Sequence, residues 1–107
     1  MDQKHITHNW LAIVNPNAGH GKGKTDWQKI SDLLFRYHIE YDACFTGHRQ
    51  HAIELTKAGI DRGYRNIITI GGDGTMNEVI NGCFMQRSCL TKELTLGSIM
   101  VGREVRR

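Results

Sequence analysis

Two short apolar runs in this chain each pass directly into a glycine-rich stretch, and each stretch is followed by a helical pattern. Trp10-Leu-Ala-Ile-Val14 leads to Gly19, Gly21 and Gly23, and Asn66-Ile-Ile-Thr-Ile70 leads to Gly71, Gly72 and Gly74. A strand that feeds a glycine turn and then a helix is the first half of a β-α-β unit, whose crossover returns the chain as a parallel neighbour. The first run has no polar alternation, as expected of a strand covered on both faces. Glycine supplies 12 of 107 residues, about 11% against a usual ~7%. Six of the twelve fall in these two stretches.

The remaining pattern fits the same unit. Beyond a loop from Asn15 to Lys24, Trp27, Ile30, Leu33, Leu34 and Tyr37 recur at spacings of three and four, which predicts one apolar helix face, with Thr25 and Gln28 as its capping box. A second strand is expected over Ile39 to Phe45, then a helix from about His51 to Arg62 with Gly63 as its stop. Behind the Asn66–Ile70 strand, Met76, Val79, Ile80, Cys83 and Phe84 mark a third helix, with Thr75 and Glu78 as a second capping box. Leu94 to Met100 reads as a fourth strand. The order β-α-β-α-β-α-β implies an α/β fold: a doubly wound, mostly parallel sheet with helices on both faces.

A length of 107 residues suits one compact core, so residues 1–107 are expected to form a single α/β domain. Fourteen Lys and Arg against eleven Asp and Glu leave a net charge of +3 without a basic stripe, too little counterion-release affinity for nucleic acid. No apolar run approaches the roughly 18 residues of a membrane span, so peripheral contact is the most that a membrane is expected to receive. The start lacks the apolar core of a secretory signal, which makes a cytoplasmic location the default expectation. Cys44, Cys83 and Cys89 are odd in number and lack a Cys-x-x-Cys pair, arguing against a disulfide framework or a zinc site.

Ligands of doubly wound sheets bind beyond the carboxyl ends of the strands, where both glycine stretches lie. Gly23-Lys24-Thr25 resembles the end of a Walker A loop, but the glycine required five positions before Gly23 is Ala18. Gly-x-Gly-x-x-Gly fails as well, because Lys24 lies three beyond Gly21. What remains at the first turn is a basic strand-to-helix connection whose N–H groups suit phosphate. Lys22 and Lys24 would screen phosphate charge there or merely solubilise the loop. In Gly71-Gly-Asp-Gly-Thr75, glycines permit positive φ and close backbone approach, and the helix behind points its N-terminus at a ligand. An aspartate inside such a cradle suits Mg²⁺ organisation or acceptance of a hydroxyl proton; otherwise Asp73 and Thr75 serve as turn and capping residues.

These residues carry a resemblance. Asn15-Pro-Asn-Ala-Gly19, Thr46 with His51-Ala52, and Gly71-Gly-Asp-Gly-Thr-Met-Asn-Glu-Val-Ile-Asn-Gly82 resemble, in order and spacing, the diacylglycerol kinase catalytic-domain family of lipid kinases. Gly-Gly-Asp-Gly-Thr alone is shared with NAD kinases and, loosely, phosphofructokinases; the Asn-Pro turn and the Asn77–Gly82 extension favour lipid kinases. The resemblance implies an N-terminal domain like that of NAD kinases and diacylglycerol kinases. It further implies an ATP site from Asn15, Pro16, Asn17, Ala18, Gly19, Thr46, Gly71, Gly72, Asp73, Gly74, Thr75, Met76, Asn77 and Glu78. Asp73 would be catalytic, and Mg²⁺ would assist transfer of the ATP γ-phosphate to a diacylglycerol-like or sphingoid hydroxyl.

The match stops after Gly102, where Arg103 replaces the family's threonine and the Asn-Asp pair is missing. Family members continue into a β-rich second domain that binds the acceptor. The expectation is therefore an N-terminal fragment without lipid phosphorylation and with weak or absent ATP binding on its own. An uncovered sheet face or edge would favour homo-oligomers. Two alternatives stay open: the lobe of an NAD kinase-type enzyme, and a non-catalytic nucleotide-binding or interaction module. The pairs His5 with His8 and His48 with His51 lack partners for a metal site and are expected to be surface histidines, and His20 is not assigned to the site. Cys83 is expected to pack as a small hydrophobe, and Arg103, Arg106 and Arg107 to be solvated.

Overall fold

The computed structural model describes residues 10–101. The expectations for His5, His8, Gly102, Arg103, Arg106 and Arg107, and for the side chains of His20, Lys22 and Lys24, lie outside the described residues. Four strands, β1 (Trp10–Val14), β2 (Tyr41–Phe45), β3 (Asn66–Gly71) and β4 (Thr95–Met100), alternate with helices α1 (Ala18–Arg36), α2 (His51–Arg62) and α3 (Asp73–Met85). The sheet order is β2-β1-β3-β4, and all three pairings are parallel. Trp10 lies beside Tyr41 on one side and Asn66 on the other, which fixes β1 in the interior of the sheet.

Apolar residues on both sides of β1 follow from this position. Leu11 and Ile13 pack with Ile60 of α2, Ile67 of β3 and Val79 of α3 on one face. Ala12 and Val14 pack with Ala18, Ile70 and Val101 on the other, where Trp27 and Ile30 of α1 join them. Helices therefore cover both faces, as the sequence pattern requires. On their shared face α2 and α3 approach closely at Gly82: a Cβ there would stand 2.8 Å from the Cβ of Thr56 and 3.0 Å from the carbonyl oxygen of Ile53.

α2 ends as read from the sequence, at Gly63 with φ 116°, whose N–H returns to the carbonyls of Gly59 and Ile60. β1 and the start of α2 also lie where the sequence puts them, whereas α1 and β2 differ. α1 starts at Ala18, so the expected loop from Asn15 to Lys24 is replaced by helix and Thr25 lies inside it. Gly19 and Gly21 take φ of 60° and 93°, so these glycines irregularly wind the first turn instead of delaying it. The Thr25–Gln28 capping box does not form; Gln28 donates forward to Asp32 at 3.0 Å. Leu34 is buried, but Leu33 and Tyr37 of the expected face are exposed, because α1 has no helical neighbour on its side among the described residues. β2 begins two residues late: His38 takes φ 62°, and the N–H of Ile39 returns to the carbonyl of Leu34. Phe84, expected on the inward face of α3, is 71% exposed, whereas Cys83 packs in the core as expected. Burial raises the Cys83 and Cys44 thiols above their ordinary range, which keeps both protonated.

Candidate nucleotide site

The chain order reverses at β1: β2 lies to one side, and β3 and β4 to the other. The crevice beyond the carboxyl ends of β1 and β3 is where a doubly wound sheet opens to ligand. Asn15 braces it. Its backbone N–H donates to the carbonyl of Ile70 at 2.8 Å, its Oδ1 accepts the N–H of Asn17 at 2.9 Å, and its Nδ2 donates to Thr75 Oγ1 at 3.2 Å. Pro16 sits inside this Asx turn, where its fixed φ suits the bend. The third strand end joins through Thr46, whose N–H donates to the carbonyl of Val14 at 2.8 Å.

These connections frame a cleft of about 260 Å³ lined by Asn15, Asn17, Thr46, His48, Arg49, Gly74, Thr75 and Glu78. Six of the residues read from the sequence thus converge. Gly74 also borders a second, more open hollow of about 450 Å³, formed with Asp73, Met76, Asn77 and Ile80 along the outer side of α3. Asp73 therefore lines the second hollow and not the first, and Gly74 is the residue the two share. Ala18 is buried under the first turn of α1. Gly19 follows it in that turn. Gly71 makes room for Thr75, since a Cβ there would meet Thr75 Oγ1 at 2.6 Å. Gly72 is the N-cap of α3, and an added Cβ at Gly72 or Gly74 meets nothing within 4 Å.

Two details of the sequence reading are corrected. None of Gly71, Gly72 and Gly74 has positive φ; Gly72 is extended, at φ −103°. Their contribution is open space and close packing. The Thr75–Glu78 capping box is also absent: Thr75 is hydrogen-bonded to Asn15, while Glu78 Oε2 accepts the backbone N–H of Gln50 at 3.1 Å. Helix geometry still leaves the first-turn N–H groups of α3, those of Asp73, Gly74 and Thr75, directed out of its N-terminus. With the Arg49 guanidinium, they make the cleft suitable for an anion.

His48 and Arg49 were missed as lining residues. The available signal was position, since both fall between Thr46 and His51 in the turn after β2; the metal-ligand spacing of the histidines carries no such information. Their rings do meet: His48 and His51 stack with centroids 4.3 Å apart and planes 11° from parallel.

Comparison with known proteins places this geometry. The diacylglycerol kinase catalytic domain matches residues 9–104. YtlR of Bacillus subtilis, assigned by name to the lipid kinases, is 40% identical over 68% of this chain and 25% of its own length. Ceramide kinase of Arabidopsis thaliana is 30% identical over 74% of this chain and 14% of its own. A crystal structure of a diacylglycerol kinase from Bacillus anthracis superposes with a TM-score of 0.65 at 27% identity, covering 92% of this chain and 35% of that one. The chain thus spans about a quarter or less of these two curated relatives. With 96 consecutive residues from 9 to 104 matched, it belongs to the diacylglycerol kinase catalytic domain family of lipid kinases.

Proposed function

We propose that this chain forms the ATP-binding wall of a lipid kinase, with the nucleotide lying across the tips of β1, β2 and β3 and its γ-phosphate passing to a lipid hydroxyl. The observation that carries the reading is the convergence of Asn15, Asn17, Thr46, Gly74 and Thr75 on one cleft at the N-terminus of α3. Phosphoryl transfer needs mainly positioning and compensation of charge, and this cleft offers both. The hydroxyls of Thr46 and Thr75, the Asn17 amide and the Arg49 guanidinium supply donors at its rim. The turns at Asn15–Gly19 and Gly71–Gly72 set the backbone behind them, and the open space at Gly72 and Gly74 admits a phosphate against the main chain.

Gly74 borders both hollows, so a donor in the first and an acceptor in the second would meet across it. In that arrangement Asp73 faces the acceptor side, where its carboxylate can take the hydroxyl proton as the oxygen attacks. Met76, Asn77 and Ile80 give that side a mixed apolar and polar lining suited to a lipid headgroup and the start of its chains. The named relatives include a ceramide kinase and a diacylglycerol kinase, and a lipid hydroxyl is the acceptor chemistry they share.

Magnesium would neutralise phosphate charge when bound with the nucleotide. Among the described residues no three His, Cys, Asp or Glu side chains converge on one point. Mg²⁺ held mostly by phosphates and water needs only one or two carboxylates, and Asp73, next to the shared Gly74, fits that requirement.

The test is an NMR titration of the chain with MgATP, sensitive enough to detect weak binding. Shifts are expected at the amides of Asn15, Thr46, Gly74 and Thr75. Gly72→Val, which the extended φ and open surroundings allow to fold, should weaken binding at least about tenfold, because its side chain fills the space a phosphate needs. No shifts in the wild type, or equal affinity in the variant, would overturn the reading.

A further inference from the structure

We infer that His51, with its ring proton on Nε2, is a positioning residue that holds the Thr46–Gln50 segment in the shape that walls the cleft; its effect on nucleotide rests on the reading above. The segment leaves β2 at Thr46 and must turn within a few residues to enter α2 at His51. Inside that turn the N–H of Gly47 donates to Nδ1 of His51 at 2.7 Å. A backbone N–H can only donate, so Nδ1 must be bare, and a doubly protonated ring has no acceptor to offer there. The same ring stacks on His48, a wall of the cleft, whose Nδ1 donates to the carbonyl of Arg49 at 2.9 Å.

The turn carries strain that these contacts hold in place. Gln50 takes φ 66°, a left-handed conformation that disfavours a side chain bearing a Cβ. Its N–H is fastened to Glu78 Oε2 on α3. One tether thus comes from within the turn and one from the helix that opens the cleft. Gly47 is exposed, so water could satisfy its N–H; burial does not compel the bond to His51. Its consequence is order, carried to His48 by the stacked rings and onward to Arg49.

Substitution separates acceptor from bulk. In asparagine, Oδ1 lies as many bonds from the backbone as Nδ1 does in histidine, so His51→Asn keeps an acceptor, whereas His51→Leu keeps volume and loses it. The experiment combines ¹⁵N NMR of the His51 ring, amide exchange at Gly47, and MgATP titration of the chain and both variants, with melting curves to establish folding. The wild-type ring should carry its proton on Nε2. His51→Leu should speed Gly47 exchange and weaken MgATP binding, each by about threefold to tenfold, the range of one net hydrogen bond; His51→Asn should keep both within about twofold. A proton on Nδ1, unchanged exchange in His51→Leu, or faster exchange with unchanged MgATP affinity would overturn the inference. A wild-type chain without MgATP shifts would refute the nucleotide reading alone, leaving the ring proton and Gly47 exchange to decide whether His51 shapes the turn.

Discussion

Replacing Gly82 by alanine sets two effects of similar size against each other. In a helix interior alanine is preferred to glycine by about 1 kcal/mol, and Gly82 lies within α3, so local propensity alone predicts a gain. Packing opposes it. The new Cβ would stand 2.8 Å from Thr56 Cβ, 3.0 Å from Thr56 Cγ2 and 3.0 Å from the Ile53 carbonyl oxygen, and two of these atoms cannot move without moving α2. Thr56 is fully buried and its hydroxyl donates to the Ala52 carbonyl at 2.7 Å, so its side chain has no simple escape by rotation. Overpacking of this kind costs about 1–3 kcal/mol, which exceeds the propensity gain and leaves a net loss of about 1 kcal/mol. In a domain of this size that lowers the melting temperature by roughly 4–8 °C. Gly74→Ala is the internal control: it lies in the first turn of the same helix, and its Cβ meets nothing within 4 Å. That variant should gain about 0.5 kcal/mol through the unfolded state while weakening MgATP binding, because Gly74 lines the cleft. Circular dichroism melts and urea titrations of the three proteins measure these changes. A Gly82→Ala variant as stable as the wild type would show that α2 and α3 separate freely, and would refute the argument from close approach.

Two further outcomes follow from single side chains. Asp73→Asn should lower lipid phosphorylation by about 100-fold or more in a kinase built on this domain, the scale of a lost general base, while MgATP-induced shifts at Thr46 and Thr75 persist; unchanged turnover would leave Asp73 as a helix-start residue. Tyr64 has its hydroxyl pushed up to about 12 by burial and by its hydrogen bond to Asp42. Protonated Tyr64 therefore contributes stability that is complete below pH 10 and is lost as pH rises through about 12. In an ultraviolet titration read as the difference from Tyr64→Phe, the Tyr64 phenol should ionise above the ordinary tyrosine value of about 10, and the variant should flatten the alkaline fall in stability; a Tyr64 phenol ionising at about 10 would refute this.

The strand ends were legible because each coincides with a change of residue chemistry: Val14 meets Asn15 and Pro16, and Ile70 meets the glycine pair. Gly63 was legible for the same reason, since a helix stop in the left-handed region has few alternatives to glycine. The start of α2 was also read correctly, at His51, but those of α1 and α3 were not. A Thr or Ser followed three residues later by Glu or Gln marks an N-cap with its N3 partner, but the same spacing occurs wherever two such residues share a helix face. Thr25 with Gln28 and Thr75 with Glu78 are of this second kind, each lying beyond the true first helical residue, Ala18 or Asp73. For α3 the consequence reaches the site. Thr75 is joined to Asn15, 60 residues earlier, and Glu78 to Gln50, 28 residues earlier. Local pattern holds no information about partners at those distances, so most residues lining the cleft could be named from sequence while their bonds could not. Those two bonds tie the turns after β1 and β2 to one face of a single helix. The shape of the cleft is therefore set by where α3 begins, which in turn depends on Gly71 leaving room for Thr75. A glycine without positive φ, whose neighbour Gly72 has nothing within 4 Å of an added Cβ, thereby fixes the distance between two turns that are far apart in sequence.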